Sequence, residues 1–299
     1  MSVADPTPTG RSATVVGVLG VGVVGDPDQG LVVANDLAFT RGDGCFEATR
    51  VEAAATGPAA VDHLGAHLDR LTRSAAALDV AIDASEWRRL VEEVVGAWGH
   101  HGEGVLRLFA SAGVEGARGR APFGVALLEP LSAATAAERE GIAVATLTTG
   151  RAIDAFAGAP WLLGGVKTLS YATNMAAARA ASTAGADDAL MVSADGYALE
   201  GPRSALVWRV ADQLATTEVE GTGVLHSITQ RAVFAGAAAD GVATAYGRLP
   251  VADLPTVDGA WFLSSSRLVA PITRVDEHEL AVDPAWSDRV RGWVHTSLG

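Results

Sequence analysis

Hydrophobic and polar positions change period several times along this chain, and each change marks an element. Residues 14–25 are a run of valines and glycines closed by Asp26-Pro27-Asp28-Gln29-Gly30, which predicts a β-hairpin with its turn at 26–30 and a second short strand after it. Gly20, Gly22 and Gly25 match the spacing of a dinucleotide fingerprint. That fingerprint must open a helix, whereas Gly25 leads into a turn, so the match is a decoy. The glycines and acid of residues 41–44 mark a tight turn, and alternation over 45–51 predicts a strand. Over 61–78, Leu64, Leu68, Leu71 and Leu78 recur at helical spacing with His67, Asp69, Arg70 and Arg73 between them. A second helix is predicted from Ser85, read with Glu86 and Arg88 as a capped start, to about Trp98. Residues 104–110 and 122–128 then read as strands joined by a loop that carries Arg118 and Arg120.

Past a polar, Ala-rich stretch at 130–140 the pattern restarts. Residues 141–147 predict a strand, 148–163 an irregular loop and 169–184 a helix. A strand at 189–192 meets the turn Asp195-Gly196, and 197–199 lead into Glu200-Gly201-Pro202-Arg203-Ser204. Residues 205–210 and 260–263 are further strands, the second ending in Ser264-Ser265-Ser266-Arg267, and 221–229 precede a helix over 230–239. The expected organisation is a small α/β unit at 1–129, a linker at 130–140 and a larger unit at 141–299, in a chain of the α/β (α+β) class.

Length and charge narrow the function classes. A chain of 299 residues can bury a large core and divide in two. A net charge of −13 repels a nucleic-acid backbone and an anionic membrane surface, so neither is expected as a partner. Cys45 is the only cysteine, which rules out an intrachain disulfide and a thiolate metal cluster. The apolar runs are too short to span a bilayer, and a cytoplasmic protein with no metal is the expectation.

The candidate chemistry centres on Gly164-Gly-Val-Lys-Thr-Leu-Ser-Tyr171. Lys167 is the only lysine, the other 21 of the 22 basic residues being arginine. Arginine does not deprotonate in a protein, whereas a desolvated lysine offers a neutral amine as nucleophile or base. A lysine kept between Trp161-Leu-Leu-Gly-Gly-Val166 and an apolar helical run suits a Schiff base with a carbonyl cofactor. Pyridoxal 5'-phosphate needs such an amine, an acid beside its pyridine nitrogen, and hydroxyls, helix N-terminal amides and an arginine for its phosphate. Lys167, Glu200, Ser227-Ile228-Thr229 and Arg70 supply those residue types. Singly, each also reads as an ordinary turn carboxylate, N-cap or helix surface residue.

Taken in order, these segments resemble the class IV aminotransferases, the fold-type-IV pyridoxal phosphate enzymes. Arg41-Gly-Asp-Gly-Cys-Phe46 with His67-Leu-Asp-Arg-Leu71 is similar to the family's first signature. Lys167-Thr-Leu-Ser-Tyr171, Glu200-Gly-Pro-Arg-Ser204 and 223–229 are similar to its second. The resemblance implies a small N-terminal α/β sandwich domain and a larger C-terminal pseudobarrel, a homodimer, and a small-molecule amino substrate. It also implies that Lys167 carries the cofactor, that Glu200 pairs with the pyridine nitrogen, and that Arg70, Ser227, Ile228 and Thr229 hold the phosphate. Ser266 is a further phosphate candidate, and Tyr171 is placed beside the cofactor.

Three positions depart from the family pattern. Ala205 follows Ser204 where the family often has asparagine, and Phe46 stands where D-amino acid aminotransferases commonly have tyrosine. The strand end that carries their carboxylate-binding arginine in a Thr-Arg-Gly motif reads Ser111-Ala112-Gly113 here. On the substrate side, Phe46, Arg107, Arg118 and Arg120 are the candidates. The Gly-Asp-Gly-Cys-Phe run and the absent arginine most resemble the aminodeoxychorismate lyases, which release pyruvate to form 4-aminobenzoate. Transamination of D-amino acids or branched-chain amino acids is the alternative, since it shares every cofactor contact. A binding protein on a disused enzyme scaffold ranks last, because both the lysine and the glutamate are present.

Overall fold

The computed structural model describes residues 14–26, 28, 30–54, 57–116 and 123–298. In chain order the first half runs β1 (Val15–Val18), β2 (Gly22–Val24), α1 (Leu37–Arg41), β3 (Gly44–Ala53), β4 (Ala60–Val61), α2 (Leu64–Ala76), α3 (Ala84–Ala97), β5 (Gly102–Ser111), β6 (Phe123–Pro130) and α4 (Ala133–Ala137). The six strands form one wholly antiparallel sheet in the order β2-β1-β6-β5-β3-β4. Helices α2 and α3 pack on it through the periodic positions of the sequence. Leu68 and Leu71 on α2, and Trp87, Leu90, Val91 and Val94 on α3, are buried with Val51, Leu106 and Leu128 of the sheet. Leu71 alone, fully buried, contributes about 2 kcal/mol by area.

Local chemistry moves several predicted boundaries. The first hairpin turns at residues 19–21, with Gly20 in the turn and Gly22 just after it at φ of 76° and 94°; Pro27 and Gln29 of the predicted turn lie outside the described residues. Glycine alone enters that region of φ without strain. No strand forms at 31–35. Ser85 is not the cap of α3: Asp83 is, its carboxylate accepting from the amides of Ser85 and Glu86. The stretch 130–140 carries local structure of its own. Ser132 caps α4, a 3-10 turn follows over Glu138–Glu140, and Arg139 there bonds Glu103 of β5 and the carbonyl oxygens of Ser266 and Arg267.

The second half runs β7 (Ile142–Thr148), α5 (Ala172–Thr183), β8 (Asp188–Val192), β9 (Tyr197–Ala198), β10 (Glu200–Gly201), β11 (Ser204–Val210), β12 (Gln213–Thr217), α6 (Ile228–Ala239), β13 (Ala243–Gly247), β14 (Leu249–Pro250), β15 (Gly259–Ser264), β16 (Leu268–Val275), β17 (His278–Glu279) and α7 (Pro284–Trp293). Nine strands follow one path, β13-β12-β11-β15-β16-β7-β8-β9-β14, with β10 on β11 and β17 on β16. Only β7/β8, β7/β16 and β12/β13 are parallel. This mixed sheet curls into a nearly closed pseudobarrel, the fold-type-IV architecture that the sequence implied. Among the described residues no helix is long and apolar enough to cross a membrane.

Candidate active site

The lysine segment leaves its own half of the chain and adds to the end of β3. Phe46 N donates to Lys167 O at 3.0 Å, Leu169 N to Gly44 O at 2.8 Å, and Lys167 N to Ser74 Oγ at 3.3 Å. A side chain at residue 44 would stand 2.5 Å from Ala110 O and 2.8 Å from Leu169, so glycine is what lets the two segments close. These bonds hold 167–169 extended and delay α5 until Ala172, three residues after the predicted start.

Lys167 therefore projects into a cavity of about 1160 Å³ between the two sheets, lined also by Phe46, Arg70, Tyr171, Glu200, Ser227, Ile228 and Ser266. Its Nζ lies 4.2 Å from the centroid of the Phe46 ring and 5.8 Å from that of Tyr171. Among the described residues it has no ion-pair partner. Burial, and then the charge of Arg70, pull its pKa down to about 8. A sizeable fraction of the amine is thus neutral near physiological pH, the state a nucleophile or base requires.

Glu200 is half-buried on β10, its carboxylate facing the cavity. Its two carboxylate oxygens each stand 3.2 Å from Leu225 N, and burial still pushes its pKa up to about 8. A cationic group in the cavity would stabilise its ionised form. The hairpin that carries it is tied to α5, since Tyr171 Oη and Asn174 Nδ2 donate to Pro202 O at 2.6 and 2.7 Å. Tyr171 packs edge-on against Phe46, and burial raises its phenol pKa, so it stays neutral.

The third component is an anion cradle. Ser227 caps α6 by accepting from Gln230 N at 3.2 Å, which leaves the amides of Ile228 and Thr229 in the unpaired first turn of a 12-residue helix. Arg70 reaches across from α2 to donate to His226 O at 3.0 Å. Thr229 Oγ1 lies 3.4 Å from Ser265 Oγ. Ser266 lines the cavity, but the serine hydroxyl that meets Thr229 is that of Ser265.

The sequence assigns no site role to Glu47, and His67 enters it only within a motif. Glu47, fully buried, is gripped by Arg70 Nε and Nη2 at 2.6 and 2.8 Å and by His67 Nδ1 at 2.7 Å. A carboxylate on the inward side of β3, and a histidine and arginine three apart on an otherwise apolar helix face, were the available signal. On the substrate side, Arg107 lines the cavity, but its charge is matched by Glu129 at 2.5 Å. Arg118 and Arg120 lie outside the described residues. Arg151 and Arg203 also line the cavity, and neither has a carboxylate partner among the described residues. The Arg151 guanidinium sits 5.4 Å over the ring of Phe156. No group of three or more potential metal ligands occurs among the described residues.

A buried amine, a buried carboxylate and a helix-end anion cradle facing one cavity match the order of the sequence motifs, and the profile of amino-transferase class IV matches residues 44–275. The chain belongs to the class IV aminotransferases. A bifunctional aminodeoxychorismate lyase / D-amino acid transaminase of Mycobacterium tuberculosis is 39% identical over 279 residues, covering 88% of this chain and 92% of that protein. A fold IV transaminase from Curtobacterium pusillum superposes with a TM-score of 0.87 at 34% identity, covering 95% of this chain and 97% of that one. The pyridoxal-phosphate-bound form of a hypothetical aminotransferase from Mycobacterium tuberculosis gives 0.87 at 37% identity, over 94% and 98% of the two chains. This class IV member is accordingly an enzyme of the aminotransferase and lyase group.

Proposed function

We propose that this enzyme binds pyridoxal 5'-phosphate through Lys167 and acts as an aminodeoxychorismate lyase, releasing pyruvate from an amino substrate. The observation that carries the reading is the buried, partly neutral Lys167 amine, which faces the same cavity as Glu200 and the Ser227–Thr229 helix end. The residues fit the cofactor chemically. Lys167 offers the only amine of the wall, Glu200 a carboxylate for the ring nitrogen, and Arg70 with the amides of Ile228 and Thr229 donors for the phosphate. When bound, the cofactor supplies an electron sink for a carbanion on the substrate.

The chain's own residues do the rest. Lys167 Nζ would remove the proton from the substituted carbon of a bound substrate and return one to the departing group. Glu200 keeps a proton at the far end of the ring. Phe46 and Tyr171 pack edge-on to each other and give the amine an apolar wall. The lyase reading is favoured by the Ser111-Ala112-Gly113 strand end, with Arg107 held by Glu129. Among the described residues that line the cavity, Arg151 and Arg203 have no carboxylate partner and are placed to take substrate carboxylates.

D-amino acid transamination is the second reading. The bifunctional name of the mycobacterial relative favours it. In that reaction the same Lys167 amine would carry the proton taken from the substrate. We also propose a homodimer, in which exposed Phe39 and Trp161 are covered by a second copy; sedimentation as a monomer would remove that part.

The test has two stages. Purified protein given pyridoxal 5'-phosphate should gain a visible absorbance band that borohydride removes, leaving the label on Lys167. A protein that stays colourless refutes the reading. The loaded enzyme is then offered aminodeoxychorismate, and separately D-alanine with 2-oxoglutarate. Pyruvate and 4-aminobenzoate from the first support the lyase, whereas turnover of the second alone makes it a transaminase.

A further inference from the structure

The wall that carries Arg70 holds one titratable group for which the proposed reaction has no use, His67. Arg70 has five N–H donors, of which Nε and one on Nη2 go to Glu47 and one on Nη1 to His226 O. Two donors are left for a ligand. Glu47 is ionised, because the charge and hydrogen bonds of Arg70 and the hydrogen bond of His67 outweigh the upward push of burial. The Glu47 and Arg70 charges therefore cancel, and the pair offers a phosphate dianion two hydrogen bonds but no net positive charge.

His67 lies one hydroxyl away from the same place. Its Nδ1 is 2.7 Å from Glu47 Oε2, and its Nε2 is 3.3 Å from Ser265 Oγ, which is 3.4 Å from Thr229 Oγ1 at the start of α6. The ring is 1% exposed. The titratable and charged groups facing it are Glu47 on β3, Arg70 on α2 and His63, which precedes α2. From the second half of the chain the hydroxyl of Ser265 reaches it, and Ser265 in turn meets Thr229 of α6. A carboxylate can only accept, so Nδ1 must carry a hydrogen. If the ring is neutral, Nε2 is an acceptor and Ser265 spends its hydrogen on it. Such a hydroxyl presents lone pairs to the cradle and repels an anion. A proton on Nε2 reverses the bond, and the freed Ser265 hydrogen turns toward the cradle.

We propose that His67 takes up one proton from solvent when the cofactor's phosphate dianion is seated, and that in the loaded enzyme it is an imidazolium donating to Glu47 and Ser265. The positive charge that Glu47 cancels on Arg70 is thereby restored one residue further back. Nothing is oxidised or reduced, and the phosphate keeps both charges. His67 is a positioning residue, acting on the phosphate through Ser265. Without an anion, burial and Arg70 hold the ring neutral, so loading and protonation are linked. The inference rests on the reading that the cavity takes pyridoxal 5'-phosphate.

Long-range proton–nitrogen spectra of protein labelled with nitrogen-15 histidine test it, the His67 signal being the one lost in His67→Gln. At about pH 8 the cofactor-free protein should show the neutral tautomer protonated at Nδ1, and the loaded protein the imidazolium. A neutral His67 in the loaded protein overturns the proposal. A second measurement compares the dissociation constants of pyridoxal 5'-phosphate and pyridoxal, which lacks the phosphate, between about pH 6 and pH 9. In the wild type, the preference for the phosphorylated form should weaken as pH rises. In His67→Gln it should be about ten- to a hundredfold smaller and flat with pH. An equal loss for both ligands means a merely structural role and also overturns it. If the wild type gains no visible band with pyridoxal 5'-phosphate, the cofactor reading has failed first and takes this inference with it.

Discussion

Replacing Lys167 by methionine should make the cofactor-free protein more stable at neutral pH, although it removes the residue on which the proposed chemistry turns. Burial lowers the amine's pKa from 10.5 to about 8. Each unit corresponds to 1.36 kcal/mol, so holding the charged amine in the cavity costs about 3 kcal/mol. The sign follows from proton counts. The unfolded chain binds the proton up to about pH 10.5 and the folded protein only up to about pH 8. Between these values the unfolded state holds more protons, and stability rises with pH. Below about pH 8 the penalty is present in full. Methionine keeps the length and apolar stem and omits the charge. Urea unfolding of both proteins at about pH 7 should show the variant more stable by up to about 3 kcal/mol, with the gain vanishing above about pH 10.5. Trace acylation with acetic anhydride, mapped to Lys167 as the only lysine, should show a midpoint near the same pKa of about 8. A less stable variant at neutral pH, or a gain that does not change with pH, would refute the argument that desolvation sets the state of this amine.

Other expectations follow from the same contacts. Arg70→Met leaves the Glu47 carboxylate buried without its cation, and should cost about 3–5 kcal/mol in urea unfolding, with part recovered by Glu47→Gln in the same chain; equal stability of the two would count against the pair. Glu200→Gln should still bind pyridoxal 5'-phosphate while turnover drops about ten- to a hundredfold, and unchanged kinetics would place the ring-nitrogen partner elsewhere. At Gly223, φ is 77° and an added Cβ would stand 2.5 Å from the Phe156 ring. Gly223→Ala should therefore cost about 1–3 kcal/mol, and Phe156→Leu should return part of it, read from thermal unfolding of the single and double variants.

How much of this was legible beforehand differs from element to element. The helix over 64–76 and the strand over 44–53 announce themselves because each has one wet and one dry face, and a period of 3.6 or 2 survives in the residue order. The strands β12, β13, β14, β16 and β17 and the helix α7 are not among the predicted elements. Burial on both faces erases the period in β16, and β14 and β17 are two residues long, too short to show one. The start of α3 differs from the predicted one because the Asp83 carboxylate, and not the Ser85 hydroxyl, takes the first amides of the helix.

The sequence by itself singled out one amine, one acid and one helix start, because a solitary lysine among 21 arginines and an ordered set of motifs are facts about residue identity. Tertiary structure decided where they meet. Backbone bonds between Gly44–Phe46 and 167–169, more than a hundred residues apart, set Lys167 against Phe46. The bonds of Arg139 fasten the 264–267 turn to β5, so that Ser265, and not Ser266, meets Thr229 and His67. No local pattern encodes such distances: a hydrogen bond between segments distant in sequence leaves no periodicity behind, and a buried carboxylate such as Glu47 looks like any other until its partners close around it.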